Sequence, residues 1–129
     1  MKAFQGRCSI DFGLCYNPEF IALGSVLRGL STPDLILIGE SDSTSGELLS
    51  KIYNRVCENN PSIVRTNFWN AELGKILLNS YITMKIIFAN MMAEMCERIL
   101  EGDVDVVSQI LVLDSRIGRI YLTGGLGFG

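Results

Sequence analysis

From Ser9 to Cys15 the chain alternates, with Ile10, Phe12 and Leu14 set against Ser9, Asp11 and Gly13. A period of two predicts a strand there, ended by Asn17-Pro18. Leu35-Ile36-Leu37-Ile38-Gly39, after Pro33-Asp34, is instead a short continuous apolar run. That is the pattern of a strand buried on both faces of a helix-covered parallel sheet. The next segment opens with Thr44 and Glu47 at capping-box spacing and sets Leu48, Leu49, Ile52, Tyr53 and Val56 at helical intervals up to Asn59-Asn60-Pro61. A strand followed by a capped helix resembles one repeat of a doubly wound α/β arrangement, although two strands alone make no stable sheet.

Trp69 to Glu101 contains no proline and one glycine, Gly74. The simplest expectation is one helix over 69–101, with Thr66 or Asn67 as N-cap and Gly102 as its stop. Such a helix is about 50 Å long, whereas a globule of this size is only about 36 Å across. Leu73, Leu77, Tyr81, Met84, Ile87, Phe88, Met91, Met92, Met95, Cys96 and Ile99 cover more than half of its circumference, and Glu72, Lys75, Asn79, Thr83, Asn90, Glu94, Glu97 and Glu101 form the polar remainder. A helix over a single core needs a stripe of only about 100°. The rest of the chain has too few apolar residues for the second side, so a second copy is expected to cover it in a two-fold dimer. The alternative is a helix bent or broken near Asn90. A short helix capped by Asp103 follows, then a turn at Asp114-Ser115-Arg116 and a glycine-rich end. The chain begins almost inside its first strand and stops in that glycine loop, so it reads as a piece cut at both ends.

Composition narrows the chemistry. The 129 residues are 48% hydrophobic and 19% charged, with 11 Lys+Arg against 14 Asp+Glu for a net charge of −3. There is no basic excess of the kind that neutralises a nucleic-acid backbone, so no nucleic-acid partner is expected. Histidine is absent, which removes imidazole bases, Ser-His and Cys-His nucleophile pairs and histidine metal ligands. Cys8, Cys15, Cys57 and Cys96 form no CxxC pair, so no metal site is expected and free thiols in a reducing cytoplasm are. The N-terminus lacks a secretory apolar region, and no uncharged apolar run nears the roughly 20 residues of a membrane span, so no membrane partner is expected.

Three features offer chemistry. Lys75 and Asn79, at i and i+4 on the long helix, present an ammonium and a carboxamide on one face, suited to holding an oxyanion or phosphate. Glu19 follows Asn17-Pro18 beyond a strand end, where open α/β sheets place ligand contacts. Arg116, before the glycine loop, carries a guanidinium fork suited to a phosphate or carboxylate. By spacing alone these also read as solvated residues of a polar stripe, an exposed turn carboxylate, and a surface arginine paired with Asp114.

In order and spacing, Asn17-Pro18-Glu19-Phe20, Pro33 to Gly39, Asn70-Ala71-Glu72-Leu73-Gly74-Lys75-Ile76-Leu77-Leu78-Asn79, Asp114-Ser115-Arg116-Ile117-Gly118 and Gly127-Phe128-Gly129 resemble successive motifs of the UDP-glucose/GDP-mannose 6-dehydrogenases. The resemblance covers essentially the whole chain. It implies a mostly helical α/β fragment: two strands of a partial Rossmann-type domain, then a long-helix dimerisation domain like the C-terminal domain of 6-phosphogluconate dehydrogenase. Residues 1–61 would end the NAD-binding domain, and residues 62–129 would form the truncated central helical domain. The implied reaction is NAD-dependent, four-electron oxidation of a nucleotide sugar's C6 alcohol to a carboxylate through an aldehyde and a cysteine thioester. Lys75 would stabilise the oxyanion at C6, Asn79 would hold the same oxygen or a water, and Glu19 would serve thioester hydrolysis. Phe20, Ile21, Ala22 and Leu23 would line substrate, and Arg116 would reach the nucleotide sugar of the neighbouring subunit. Thr123-Gly124-Gly125-Leu126-Gly127-Phe128-Gly129 would wrap the sugar and pyrophosphate.

The chain departs from that pattern in ways that matter. The family's nucleophilic cysteine directly follows Gly-Phe-Gly, and here the sequence ends at Gly129. None of the four cysteines matches it, there is no GxGxxG, and Leu23 stands where many members have a glutamate. Alone, the chain is expected to be inactive and not to bind NAD, leaving its cofactor contacts unassigned. Two readings stay open, a fragment of such an enzyme and a noncatalytic homodimerisation module derived from the family. An in-frame cysteine motif beyond Gly129 supports the first and a stop codon the second. A small helical binding protein with an accidental match is a third.

Overall fold

The computed structural model describes residues 7–20, 24–115 and 117. Its elements are β1 (Cys15–Tyr16), α1 (Val26–Ser31), β2 (Leu35–Glu40), α2 (Ser43–Val56), β3 (Ser62–Thr66), α3 (Phe68–Glu97) and α4 (Val104–Leu113). The chain divides into two compact units, Met1–Ile76 and Leu77–Gly129. The mostly helical α/β character matches the expectation, with three strands where two were expected.

The first unit is organised around β2, whose Ile36, Leu37 and Ile38 are 7%, 7% and 0% exposed. The sheet order is β1-β2-β3. β2 runs parallel to β3 from Leu35 opposite Ser62 to Gly39 opposite Thr66, with α2 as the crossover between them. β3 escapes a pattern reading because it is an edge strand with little burial, Val64 being 46% exposed.

The strand expected over 9–15 shrinks to Cys15–Tyr16, which pairs antiparallel with Glu40 and Gly39 of β2. Upstream, the amides of Ile10 and Asp11 both donate to the Arg7 carbonyl and Ser9 takes a φ of +65°, which makes a turn. Ile10 is 80% exposed: the alternation is real, but it has no sheet face to bury against.

Asp42, not the Thr44/Glu47 box, caps α2. Its Oδ1 accepts from the Ser45 amide at 2.9 Å, while the Glu47 carboxylate pairs forward with Lys51 at 2.7 Å. α1 was not expected. It has no side-chain cap at its N-terminus and buries no residue, so it leaves no pattern in the sequence.

α3 starts as expected, with Asn67 Oδ1 accepting from the Asn70 amide at 2.9 Å. Its first turn sits directly on β2 because Gly39 has no side chain there. A Cβ on Gly39 would lie 2.9 Å from Ala71 Cβ and 3.2 Å from Phe68 Cα. In the second unit α3 continues unbroken past Asn90 and ends at Glu97, four residues short of the expected end. A Cβ on Gly102 would lie 2.4 Å from the Cys96 carbonyl oxygen, so the stop after the helix needs glycine. α4 is capped by Asp103, which accepts from the amides of Asp105 and Val106.

Along α3, Ile86, Ala89, Met92 and Cys96 are buried, whereas Leu77, Tyr81, Met84, Phe88, Met91 and Met95 stand 43% to 60% exposed. These six recur at alternating steps of four and three, the spacing of a helix seam that meets another helix. By length and composition α3 would also pass for a membrane-crossing helix.

Candidate functional site

β1 stops where Pro18 arrives, because proline has no amide hydrogen to continue the ladder. Extending the register would set Pro18 opposite Leu37, whose carbonyl would then lack a partner. Asn17 supplies the missing donor: its Nδ2 bonds the Leu37 carbonyl at 2.8 Å. Its Oδ1 in turn accepts from the hydroxyl of Tyr53 on α2. The turn carrying Glu19 and Phe20 is thereby tied to the central strand and to the crossover helix. Burial raises the Tyr53 phenol above its ordinary value, the neighbouring Cys57 adds to this, and the bond to Asn17 opposes it. The phenol is therefore a proton donor throughout the physiological range.

Lys75 reaches this turn from the second turn of α3. Its ammonium donates to the Glu19 backbone carbonyl and sits 4.6 Å from the centroid of the Phe20 ring, within cation–π range. An ammonium has three donors. Among the described residues one of them is bonded to protein, which leaves two for an incoming oxygen. Glu19 is exposed, and Phe20 and Lys75 are half-buried, so the charge is positioned without being sealed from solvent.

Of the residues singled out from sequence, Glu19, Phe20 and Lys75 are thus brought together. Asn79 follows Lys75 by one helical turn and is exposed, its backbone carbonyl accepting from Thr83 Oγ1 at 3.0 Å. Ile21, Ala22, Leu23, Arg116 and Thr123 through Gly129 lie outside the described residues. Asn17 and Tyr53 were missed as site residues, since Asn17-Pro18 reads as a strand stop and Tyr53 as part of an apolar helix face. The signal that flags Asn17 is its place before a proline at a strand end, where an orphaned carbonyl needs a side-chain donor.

None of the cysteines belongs to this cluster. The Cys15 thiol is pushed up by burial and further by the Glu40 and Asp42 carboxylates, against the pull of Arg65, so it is a poor nucleophile. Glu40 itself is held by Arg65 through bonds of 2.7 and 3.2 Å. Cys57 and Cys96 are buried.

Residues 1–57 match the NAD binding domain of the UDP-glucose/GDP-mannose dehydrogenase family, and residues 69–129 match its central domain. A UDP-glucose 6-dehydrogenase of Rickettsia felis is 39% identical over 127 residues, covering 98% of this chain and 28% of that protein. UDP-glucose 6-dehydrogenase 1 of Oryza sativa is 36% identical over 129 residues, covering 97% of this chain and 26% of the relative. A solved UDP-glucose dehydrogenase from the archaeon Pyrobaculum islandicum superposes with a TM-score of 0.82 at 36% identity, over 94% of this chain and 27% of that one. The chain therefore spans less than a third of the length of the relatives it matches.

Proposed function

This chain belongs to the UDP-glucose/GDP-mannose dehydrogenase family, and from that premise we propose that it contributes part of the substrate site and the dimer core to an NAD-dependent nucleotide-sugar 6-dehydrogenase. The observation that carries the reading is the Lys75 ammonium, fixed on the Glu19 carbonyl and over Phe20 with donors to spare. Oxidising a C6 alcohol places negative charge on its oxygen. A donor already aimed at that charge is worth about 3–4 kcal/mol of barrier. In this reading Lys75 holds the C6 oxygen and Asn79 the same oxygen or a water. Glu19 takes the proton of the water that hydrolyses the thioester. Phe20, Ile21, Ala22 and Leu23 line the sugar, and Arg116 reaches a nucleotide sugar held by the neighbouring subunit. The segment from Thr123 to Gly129 surrounds the sugar and pyrophosphate.

NAD supplies hydride acceptance in such an enzyme, but the residues described do not make a site for it. The sequence has no GxGxxG. The junction of the central strand β2 with its crossover helix opens α2 on Asp42, whose carboxylate already occupies the Ser45 amide. A pyrophosphate would meet like charge there, where a dinucleotide site presents bare amides. We therefore assign NAD binding to the longer enzyme, and divide the chain functionally into a cofactor-side portion over 1–61 and a helical portion over 62–129. The gap of residues 58–68 between the two family matches supports that division.

The partner proposed for α3 is a second copy of the chain. Its exposed seam from Leu77 to Met95 has helix-meeting spacing, and three of its six residues are methionines, which adapt to a facing surface. Lys85 lies midway along the helix, where a bilayer centre would cost about 2.5–3.5 kcal/mol for the charge. That favours protein over lipid as the cover. Four free cysteines suit a cytoplasmic setting.

The test is NAD reduction by the complete gene product with UDP-glucose as substrate. Lys75→Ala is expected to lower kcat by about 100- to 1000-fold, and unchanged turnover would overturn the reading. The 129-residue stretch by itself is expected to reduce no NAD. A stop codon directly after Gly129 would favour the noncatalytic dimer module.

A further inference from the structure

We propose that Tyr53 is a positioning residue for the site, acting through Asn17 to fix the Pro18–Phe20 turn that seats the Lys75 ammonium. The inference rests on the reading of Lys75 as the oxyanion donor. Pro18 ends the ladder, so nothing in the β1–β2 backbone pairing holds the turn beyond Tyr16. Asn17 bridges the gap to the sheet and the crossover helix, with its amide nitrogen on the Leu37 carbonyl and its amide oxygen on the Tyr53 hydroxyl.

The orientation of a carboxamide is set by which of its ends meets a donor and which an acceptor. The Leu37 carbonyl, an acceptor only, requires the nitrogen of Asn17 on its side, and the Tyr53 hydroxyl, donating to the oxygen that remains, holds the other end of the carboxamide. Without that hydroxyl the carboxamide is held at one end only and can swing about its bond to the strand carbonyl. The Glu19 carbonyl and the Phe20 ring, two and three residues further along, are the surfaces on which Lys75 rests. A small rotation of the turn therefore displaces the ammonium from the developing charge. Displacements on the ångström scale cost up to about 100-fold in rate.

The experiment is a double-mutant comparison in the complete gene product. Tyr53→Phe removes one hydroxyl and leaves the ring packing. It is expected to lower kcat by about 10- to 100-fold while leaving KM for the sugar and the melting temperature nearly unchanged. Combined with Lys75→Ala, it is expected to add no further loss, because it acts only through that ammonium. Asn17→Asp keeps an acceptor for Tyr53 but loses the donor to Leu37, and must reproduce the loss of kcat. Full kcat in a folded Tyr53→Phe or Asn17→Asp enzyme overturns the proposal, as does an additive loss in the double variant. A Tyr53→Phe protein that fails to fold also overturns it, since the hydroxyl would then hold the fold and not the site. If Lys75→Ala itself has no effect, the reading of Lys75 fails, and with it this proposal; if only Tyr53→Phe is silent, the reading of Lys75 stands.

Discussion

β2 and α3 are both strongly apolar, yet their residues meet opposite environments. The six residues of β2 include three that are almost completely buried, with Ile38 at 0% exposure. α3 runs for 30 residues and leaves a six-residue apolar seam about half exposed. The strand satisfies its hydrophobicity within 129 residues because β1, β3 and α2 surround it. The helix does not, because the described chain has no second layer for that seam. Apolar character thus states that a surface will be covered, without stating by whom.

The sharpest way to test the difference is to truncate both elements. Ile38→Ala is expected to cost about 2–5 kcal/mol in chemical denaturation at any protein concentration, because it empties a closed core. An equal loss at high dilution from a seam truncation such as Met84→Ala would erase the distinction. The next largest effect is expected from Phe88→Asp in the middle of the seam. Sedimentation should show the dimer weakened by at least about 30-fold, since a central hydrophobic anchor is worth about 2 kcal/mol or more. A chain that is already monomeric at all concentrations would remove the second copy from the account.

Gly102→Ala is expected to lower stability by about 1–3 kcal/mol, as for overpacked sites. The added carbon meets the Cys96 carbonyl, a backbone atom that cannot swing aside. The effect should appear in amide exchange over the end of α3 and not over β2.

The smallest expected effect is that of pH on the α2 cap. Asp42 is held down at about 2 by the Ser45 amide, and then by the hydroxyls of Ser45 and Ser41. Between about pH 4 and pH 2 the unfolded chain therefore binds a proton that the folded chain does not. The cap's contribution is full above the ordinary aspartate range and is lost as pH falls toward 2. Asp42→Asn should flatten that part of the stability profile, and an unchanged slope would show that the carboxylate is not what titrates.

Part of the candidate site is legible in the chain. Lys75, Glu19 and Phe20 announce themselves by motif, and the structure joins them across 55 residues of intervening sequence. Asn79 follows Lys75 by helical geometry alone. Tyr53 and Asn17 were not legible as partners, because their bond depends on where α2 crosses the sheet. The 9–15 alternation misled for a related reason: period two reports which side chains share a face, not whether a neighbouring strand lies there. β3 hid because an edge strand buries too little to leave a strong pattern.

By itself, the sequence determined the family, the buried strand at 35–39, the long helix with its cap at Thr66 or Asn67, and the excess of apolar surface on that helix. These are properties of local spacing and composition, which chain order carries directly. The tertiary structure alone decided that Asp42 caps α2, that a third strand completes the sheet, and that the Lys75 ammonium rests on the Glu19 carbonyl. The last two depend on atoms distant in sequence, and the first on which of several nearby side chains reaches a free helix amide; in each case only the folded arrangement fixes which group is near enough to win.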